Sequence, residues 1–289
     1  MKRILGIIGS PRKLGNCEVF TKEISAQVPI EHELRLLRLQ DFNLRDCTGC
    51  YRCLYEGKCV IDDDLPAIQD AMMEADAYIL AVPACFLGAN ASLKRLLDRG
   101  LSFYGIKERL WGKPSIAVAV AGIDGKEGTT LLSINGFLKA ILSEIKASVA
   151  VYAALPGEIL FSDEGRATAR RLGAALFGEA VRASGPRCPL CGGDSFRIIG
   201  DREARCLLCG NDGSFSIESG SAVFDIRRGG HELHLDAAGA LRHEAWLRRM
   251  KDRLVAELPR IRKAREDYRG GEWIRPARPD PPPGYAILP

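Results

Sequence analysis

Over the first 180 or so residues, strand-length apolar runs alternate with stretches of helical period, and this pattern admits few folds. The candidate strands are "RILGIIG" (3–9), "HELRLLRL" (32–39), "AYILAVP" (77–83), "SIAVAVAG" (115–122) and "ASVAVYAAL" (147–155). Three of them are almost unbroken apolar runs, as parallel strands covered on both faces require. Helical stretches fall between and after them, at about 16–27, 63–75, 90–104, 129–143 and 163–183. Five alternations predict a doubly wound α/β fold with a five-stranded parallel sheet and right-handed crossovers.

The pattern stops at "VRASGPR" (181–187). Short polar segments and glycine pairs follow, and "SAVFDIRRGGHELHLD" (221–236) reads as a hairpin turning at Gly229-Gly230. A charged helix is expected at 238–268, broken near Pro259, with Trp246, Leu247, Leu254, Leu258 and Ile261 as its docking stripe. The last stretch, "RPARPDPPPGYAILP", is too rich in proline to pack and reads as an extended tail. The expected units are an α/β domain at 1–184, a small cysteine module at 185–235 and a helix with tail at 236–289.

Composition narrows the function classes. A chain of 289 residues, 46% hydrophobic and 27% charged, has material for one large core and a small module. Its net charge of +4 and lack of a long like-charge block speak against a nucleic-acid polyelectrolyte surface. No run reaches the length of a membrane span, and the apolar stretch after Met1-Lys2-Arg3 ends too soon for a secretory signal. The expected address is the cytoplasm, where clustered cysteines serve as metal ligands rather than disulfides.

Three loops fall at the carboxyl ends of the candidate strands, the edge where open α/β sheets bind ligands. "GSPRKLGN" (9–16) sets Gly9, Ser10, Arg12, Gly15 and Asn16 before a helix start, a cradle suited to a phosphate but lacking the P-loop ending. "VPACFLGANASLKRLLDR" (82–99) places Ala84 to Gly88 on the same edge, and "AGIDGKEGTT" (121–130) supplies glycines for close backbone approach.

Eight of the ten cysteines form two sets. Cys47, Cys50, Cys53 and Cys59 follow C-x2-C-x2-C-x5-C, a spacing that lets one loop wrap an iron-sulfur cube, with zinc as an alternative. Asp62, Asp63 and Asp64 then fall where they would cap the next helix. Cys188, Cys191, Cys206 and Cys209 form two C-x2-C knuckles with glycine after each, and "SFRII" and "REARC" can pair between them. Zinc is the first expectation for this second set, and a rubredoxin-like iron site uses the same ligands.

"GSPRKLGN", the "P-x-x-F" and "L-K-x-x-x-D-R" elements and "GTTLLSINGFL" resemble the NADPH-dependent FMN reductase family, of flavodoxin-like fold, across about residues 1–183. The first cysteine set narrows the resemblance to the iron-sulfur flavoproteins. It implies FMN with Ser10, Pro11, Arg12, Gly15, Asn16 and Cys17 around its phosphate. It also implies Pro83, Ala84, Cys85, Phe86, Leu87 and Gly88 beside the isoalloxazine, and Gly122 on the third loop. By the same resemblance the first set carries a 4Fe-4S cluster, although similar reductases keep such a thiol loop without one. The family usually has Ser or Thr at position 17 and Tyr at position 85. Phe86 is the aromatic expected to take over stacking. The resemblance further implies a dimer or tetramer, NAD(P)H as possible donor and a redox partner such as ferredoxin.

The resulting expectation is an FMN-dependent oxidoreductase in which a cluster relays electrons to the flavin. The alternative is a non-catalytic flavodoxin-like scaffold or sensor that binds a partner or nucleic acid through the ribbon and basic helix. The acidic residues interspersed in that helix weigh against nucleic acid.

Overall fold

Alternate residues of a strand face opposite sides of its sheet, and in β1 (Lys2–Ile8) both sets are apolar. Leu5 and Ile7 enter one core and Ile4 and Ile8 the other. The computed structural model describes residues 1–181, 184–232, 235–268, 270 and 274. After β1 come α1 (Asn16–Ala26), β2 (His32–Arg38), α2 (Arg52–Glu56), α3 (Leu65–Glu74), β3 (Ala77–Cys85) and β4 (Gly88–Ala89). Next are α4 (Ala91–Asp98), α5 (Lys107–Leu110), β5 (Pro114–Ala121), α6 (Thr130–Ala140), β6 (Glu144–Tyr152) and α7 (Asp163–Leu176).

Five parallel strands lie in the order β2-β1-β3-β5-β6, and β4 folds back antiparallel on β3. β3 is apolar throughout: Tyr78, Leu80 and Val82 face the layer of α3, α4 and α6, while Ala77, Ile79 and Ala81 face α1 and α7. The strand order reverses between β1 and β3, which opens a crevice beyond their carboxyl ends. The doubly wound, flavodoxin-like expectation is therefore met.

Two helix ends differ from expectation. The stretch 90–104 is α-helical only to Asp98, then tightens into 3₁₀ turns over Gly100–Ile106, where Ser102 donates from both its amide and its hydroxyl to the Arg99 carbonyl. The stretch 163–183 ends at Leu176, because Gly178 disfavours helix and the Val181 amide turns to the Lys146 carbonyl on β6.

The following segment forms a second, antiparallel sheet in the order β10-β9-β8-β7, from β7 (Phe196–Ile198), β8 (Glu203–Cys206), β9 (Asp212–Glu218) and β10 (Ser221–Ile226). The expected pairing of "SFRII" with "REARC" is present as β7 on β8. The expected hairpin at Gly229-Gly230 is not: β10 pairs back on β9 around Ser219-Gly220, whose φ values of 49° and 82° suit a two-residue turn. Gly229 instead donates its amide to Asn211 Oδ1, and residues 233 and 234 lie outside the described residues.

Asp236 caps α8 (Ala237–Ala256) by accepting from the Gly239 amide, and α9 (Leu258–Ala264) follows the expected break before Pro259. α8 packs back on the first domain, with Ala240 and Leu247 against Leu54 and Tyr104. The expected stripe is narrower than the sequence suggests, since Trp246 and Leu254 remain 37% and 42% exposed. The proline-rich tail lies outside the described residues. Among the described residues no helix is long and apolar enough to cross a membrane.

A candidate flavin cavity and two cysteine centres

A cavity of about 400 Å³ lies at the β1/β3 reversal. The first strand-to-helix loop contributes Ser10, Pro11, Arg12, Gly15, Asn16 and Cys17, the β3 end contributes Pro83, Ala84 and Cys85, and the third loop contributes Gly122. Sequence reasoning had singled out all ten. α1 starts directly after Gly15 with no side-chain cap, so its first amides and positive dipole end are left for a ligand. The acid in that first turn does not oppose an anion. Glu18 is turned back onto the Leu14 amide at 2.8 Å, Lys22 at 2.7 Å and Arg38 at 2.6 Å. Burial pushes its carboxyl up, but Lys22, the Leu14 amide and Arg38 together hold it below the usual range.

Asn16 does not present the polar side chain expected of it. Asn16 Nδ2 donates to the carbonyls of Ala153 at 3.1 Å and Leu155 at 2.9 Å, and its Oδ1 accepts from the Ile159 amide at 3.5 Å. The side chain thus pins the loop after β6, and only its backbone remains for a phosphate. Cys17 is buried, and that burial, with Cys85 nearby, pushes its thiol up to about 12. It lines the cavity as a neutral group.

Phe86, Leu87 and Gly88 were expected beside the ring and lie outside the cavity lining. Cys85 pairs with Gly88 and Ala84 with Ala89, so Phe86 and Leu87 form a two-residue turn with φ of 50° and 63°. Phe86 sits at its tip, fully exposed, and forms no wall of the cavity. The turn rests on the third loop: the Leu87 carbonyl accepts from the Thr129 amide at 2.8 Å and hydroxyl at 3.2 Å. A Cβ on Gly128 would stand 2.1 Å from that carbonyl, so only glycine fits there.

Sequence reasoning missed Asn90, Val120, Ala153, Ala154 and Pro156, which complete the lining. It also missed Gln40. Gln40 Nε2 donates to the Gly9 carbonyl at 2.9 Å and to Asn90 Oδ1 at 3.0 Å, tying the loops of β1 and β3 together across the crevice. Asn90 was findable as a capping residue before "ASLKRLL", and its Oδ1 does accept from the Ser92 amide.

The first cysteine set lies on the irregular segment before α2, on α2 itself and just beyond it, with Cys47 exposed and Cys50, Cys53 and Cys59 half-buried. Burial, then the proximity of Cys59, Cys50 and Cys47, raises the Cys53 thiol to about 11. The four are neighbours, yet among the described residues only the second set brings its donor atoms all within 4.8 Å. The loop is closed by Arg99, whose buried guanidinium pairs with both oxygens of Asp63 and donates to Cys59 Sγ at 3.1 Å. Asp63 also accepts from the Arg45 and Leu65 amides, and Asp64 from the Asn43 amide at 2.6 Å. Beyond the Leu65 contact, then, these aspartates fasten the loop rather than cap α3. Gly57 ends α2 against Gly105, where a Cβ would meet the Gly57 carbonyl at 1.9 Å.

The second set is compact. Cys188 and Cys209 Sγ are 3.8 Å apart and Cys191 and Cys206 Sγ 3.5 Å. A tetrahedral ion with metal-sulfur bonds of about 2.3 Å sets sulfurs roughly 3.8 Å apart, so the spacing suits one ion. Hydrogen bonds from Cys191 and Cys206 hold the Cys209 thiol far below the usual range, while Cys206 is raised to about 11.

Residues 2–147 match the NADPH-dependent FMN reductase family. The chain belongs to that family. Its branch is that of the iron-sulfur flavoproteins, and it is an FMN-dependent oxidoreductase. Over 181 residues it is 36% identical to an iron-sulfur flavoprotein of Methanocaldococcus jannaschii, a match covering 59% of this chain and 93% of that protein. An iron-sulfur flavoprotein of Archaeoglobus fulgidus is 33% identical over 179 residues, covering 60% and 78%. A solved flavone reductase superposes with a TM-score of 0.74 at 21% identity, covering 95% of this chain and all of that one. That likeness shows the fold, and it extends beyond the sheet domain that the FMN reductases share.

Proposed function

We propose that this oxidoreductase moves electrons between an FMN held in the β1/β3 cavity and a 4Fe-4S cluster held by Cys47, Cys50, Cys53 and Cys59. The observation that carries the reading is the convergence of the uncapped α1 start and the β3 end on one cavity, with the cysteine loop belonging to the same domain. FMN would supply two-electron chemistry and the cluster one-electron steps. The chain's own work is binding and orientation. Ser10, Pro11, Arg12 and Gly15, with the amides of Asn16 and Cys17, would receive the phosphate, and Pro83, Ala84, Cys85 and Gly122 would border the ring.

Two features support a cluster rather than a single ion in the first set. Its sulfurs are spread wider than one tetrahedral ion uses, and a buried, unpartnered Arg99 Nε lies beside a sulfur-bonded Nη2, a donor in want of an acceptor. The compact second set suits zinc at Cys188, Cys191, Cys206 and Cys209. The chain then divides as an FMN domain at 1–184, a zinc ribbon at 185–235 and a helix with tail at 236–289. Exposed Phe86, Leu87, Ile123 and Leu155 beside the cavity support a homo-oligomer that covers them. NAD(P)H or a reduced ferredoxin is the donor on this reading, and the cytoplasm the setting.

Anaerobic mixing with NADPH, NADH or reduced ferredoxin tests it. Bleaching of the flavin absorbance together with the cluster's visible band by at least one donor is expected. Protein that binds no FMN would overturn the reading.

A further inference from the structure

Arg99 makes more contacts than a loop clip requires. It follows α4 directly, and its side chain and that of Asp63 are both fully buried. Nη1 donates to Asp63 Oδ2 and to the Arg45 carbonyl at 2.7 Å; Nη2 donates to Asp63 Oδ1 at 3.2 Å and to Cys59 Sγ at 3.1 Å. The fork therefore grips the chain just before Cys47 and just after Cys59, and fixes one thiol itself. Its Nε is buried with no protein partner. An orphaned buried donor is costly unless something accepts from it.

We propose that Arg99 is the positioning residue that sets the reduction potential of the iron-sulfur site, acting through its hydrogen bond to Cys59. This rests on the reading that the first set holds a 4Fe-4S cluster. Reduction adds one electron to a centre whose thiolates already make it anionic. Asp63 balances the guanidinium's charge, so it is the N–H donor to a ligand sulfur that stabilises the more negative state and holds the potential up. Arg95, by contrast, pairs at 3.2 Å with Asp46 beside Cys47 but is half exposed, and water screens it.

The test is an anaerobic potentiometric titration of the full chain, read by electron paramagnetic resonance of the reduced cluster. Arg99→Lys keeps the charge and loses the fork. The pair Arg99→Gln with Asp63→Asn removes the ion pair together, avoiding a lone buried carboxylate. The double variant is expected to hold about tenfold less reduced cluster at a fixed poise, about 59 mV for a one-electron couple. Arg99→Lys should fall in the same direction by less, and Arg95→Gln should match the parent. Variants that keep FMN but fail to retain a cluster overturn the assignment, since Arg99 then only places Cys59. Unchanged potentials in both Arg99 variants overturn it, as does joint loss of cluster and FMN, which would make Arg99 a fold residue. A parent protein with FMN but no cluster signal sinks the cluster reading itself, and the inference with it, before any substitution is made.

Discussion

Asn16 opens α1, yet its amide and carbonyl serve the loop after β6 rather than the helix. Removing it frees residues 153–159, of which Ala153, Ala154 and Pro156 complete the cavity wall. Each buried hydrogen bond contributes about 1 kcal/mol, so Asn16→Ala should weaken FMN binding about tenfold or more in a flavin fluorescence titration. Cys17 carries a pH prediction. Its folded thiol titrates near 12 and its ordinary value is 9.0, so between the two the folded state holds a proton that the unfolded chain has lost. Stability then falls as pH rises through that window. Chemical denaturation at pH 8 and pH 10.5 should show a larger loss for the parent than for Cys17→Ala. An equal loss would place Cys17 in a more open setting. Neither role was legible in "GSPRKLGNC". The residue types suit a phosphate loop, but the partners of Asn16 lie about 140 positions away.

At the scale of elements, α8 ties the C-terminal module to the cysteine loop. Tyr55 donates its hydroxyl to the Arg248 carbonyl at 3.2 Å, Lys107 pairs with Glu244 at 3.4 Å, and Leu247 buries against Leu54 of α2. Leu247→Ala should destabilise the protein by about 2–5 kcal/mol in urea denaturation. It should also speed hydrogen exchange at residues 47–59, while exchange in the central strands changes little. On the proposed reading the second sheet would depend on the ion its four cysteines hold. Its apolar cluster is small, built on all four cysteines and Ile226 with a few partly buried side chains such as Phe196 and Phe224. Chelation should melt residues 186–226 and leave the parallel sheet folded, seen as partial loss of strand signal in circular dichroism. The strands of the first sheet were legible because apolar runs buried on both faces have one reading. The Gly229-Gly230 hairpin misled because a glycine pair is a strong turn signal, while Ser219-Gly220 formed the turn and Gly229 met Asn211. Likewise Phe86 looked like a stacking aromatic, and only the short pairing of β4 on β3 shows that it caps a turn.

For the whole molecule, the order β2-β1-β3-β5-β6 brings together loops that the sequence keeps about 30 or more residues apart. That convergence follows from the alternation of strand and helix, so the fold and the main walls of the cavity were readable in advance. What was not readable is the scaffolding behind them. Gln40 stands in no motif, Arg99 closes the "L-K-x-x-x-D-R" element but meets Asp63 and Cys59 about 40 positions away, and Ala153, Ala154 and Pro156 contribute backbone and shape rather than a recognisable side chain. The central claim is that one chain joins a flavin cavity, a cluster loop and a separate single-ion site. Flavin, iron, sulfide and zinc analysis of one anaerobically purified sample tests it most directly. The account predicts one FMN, about four irons and four sulfides and one zinc per chain; FMN with zinc but no sulfide would contradict it.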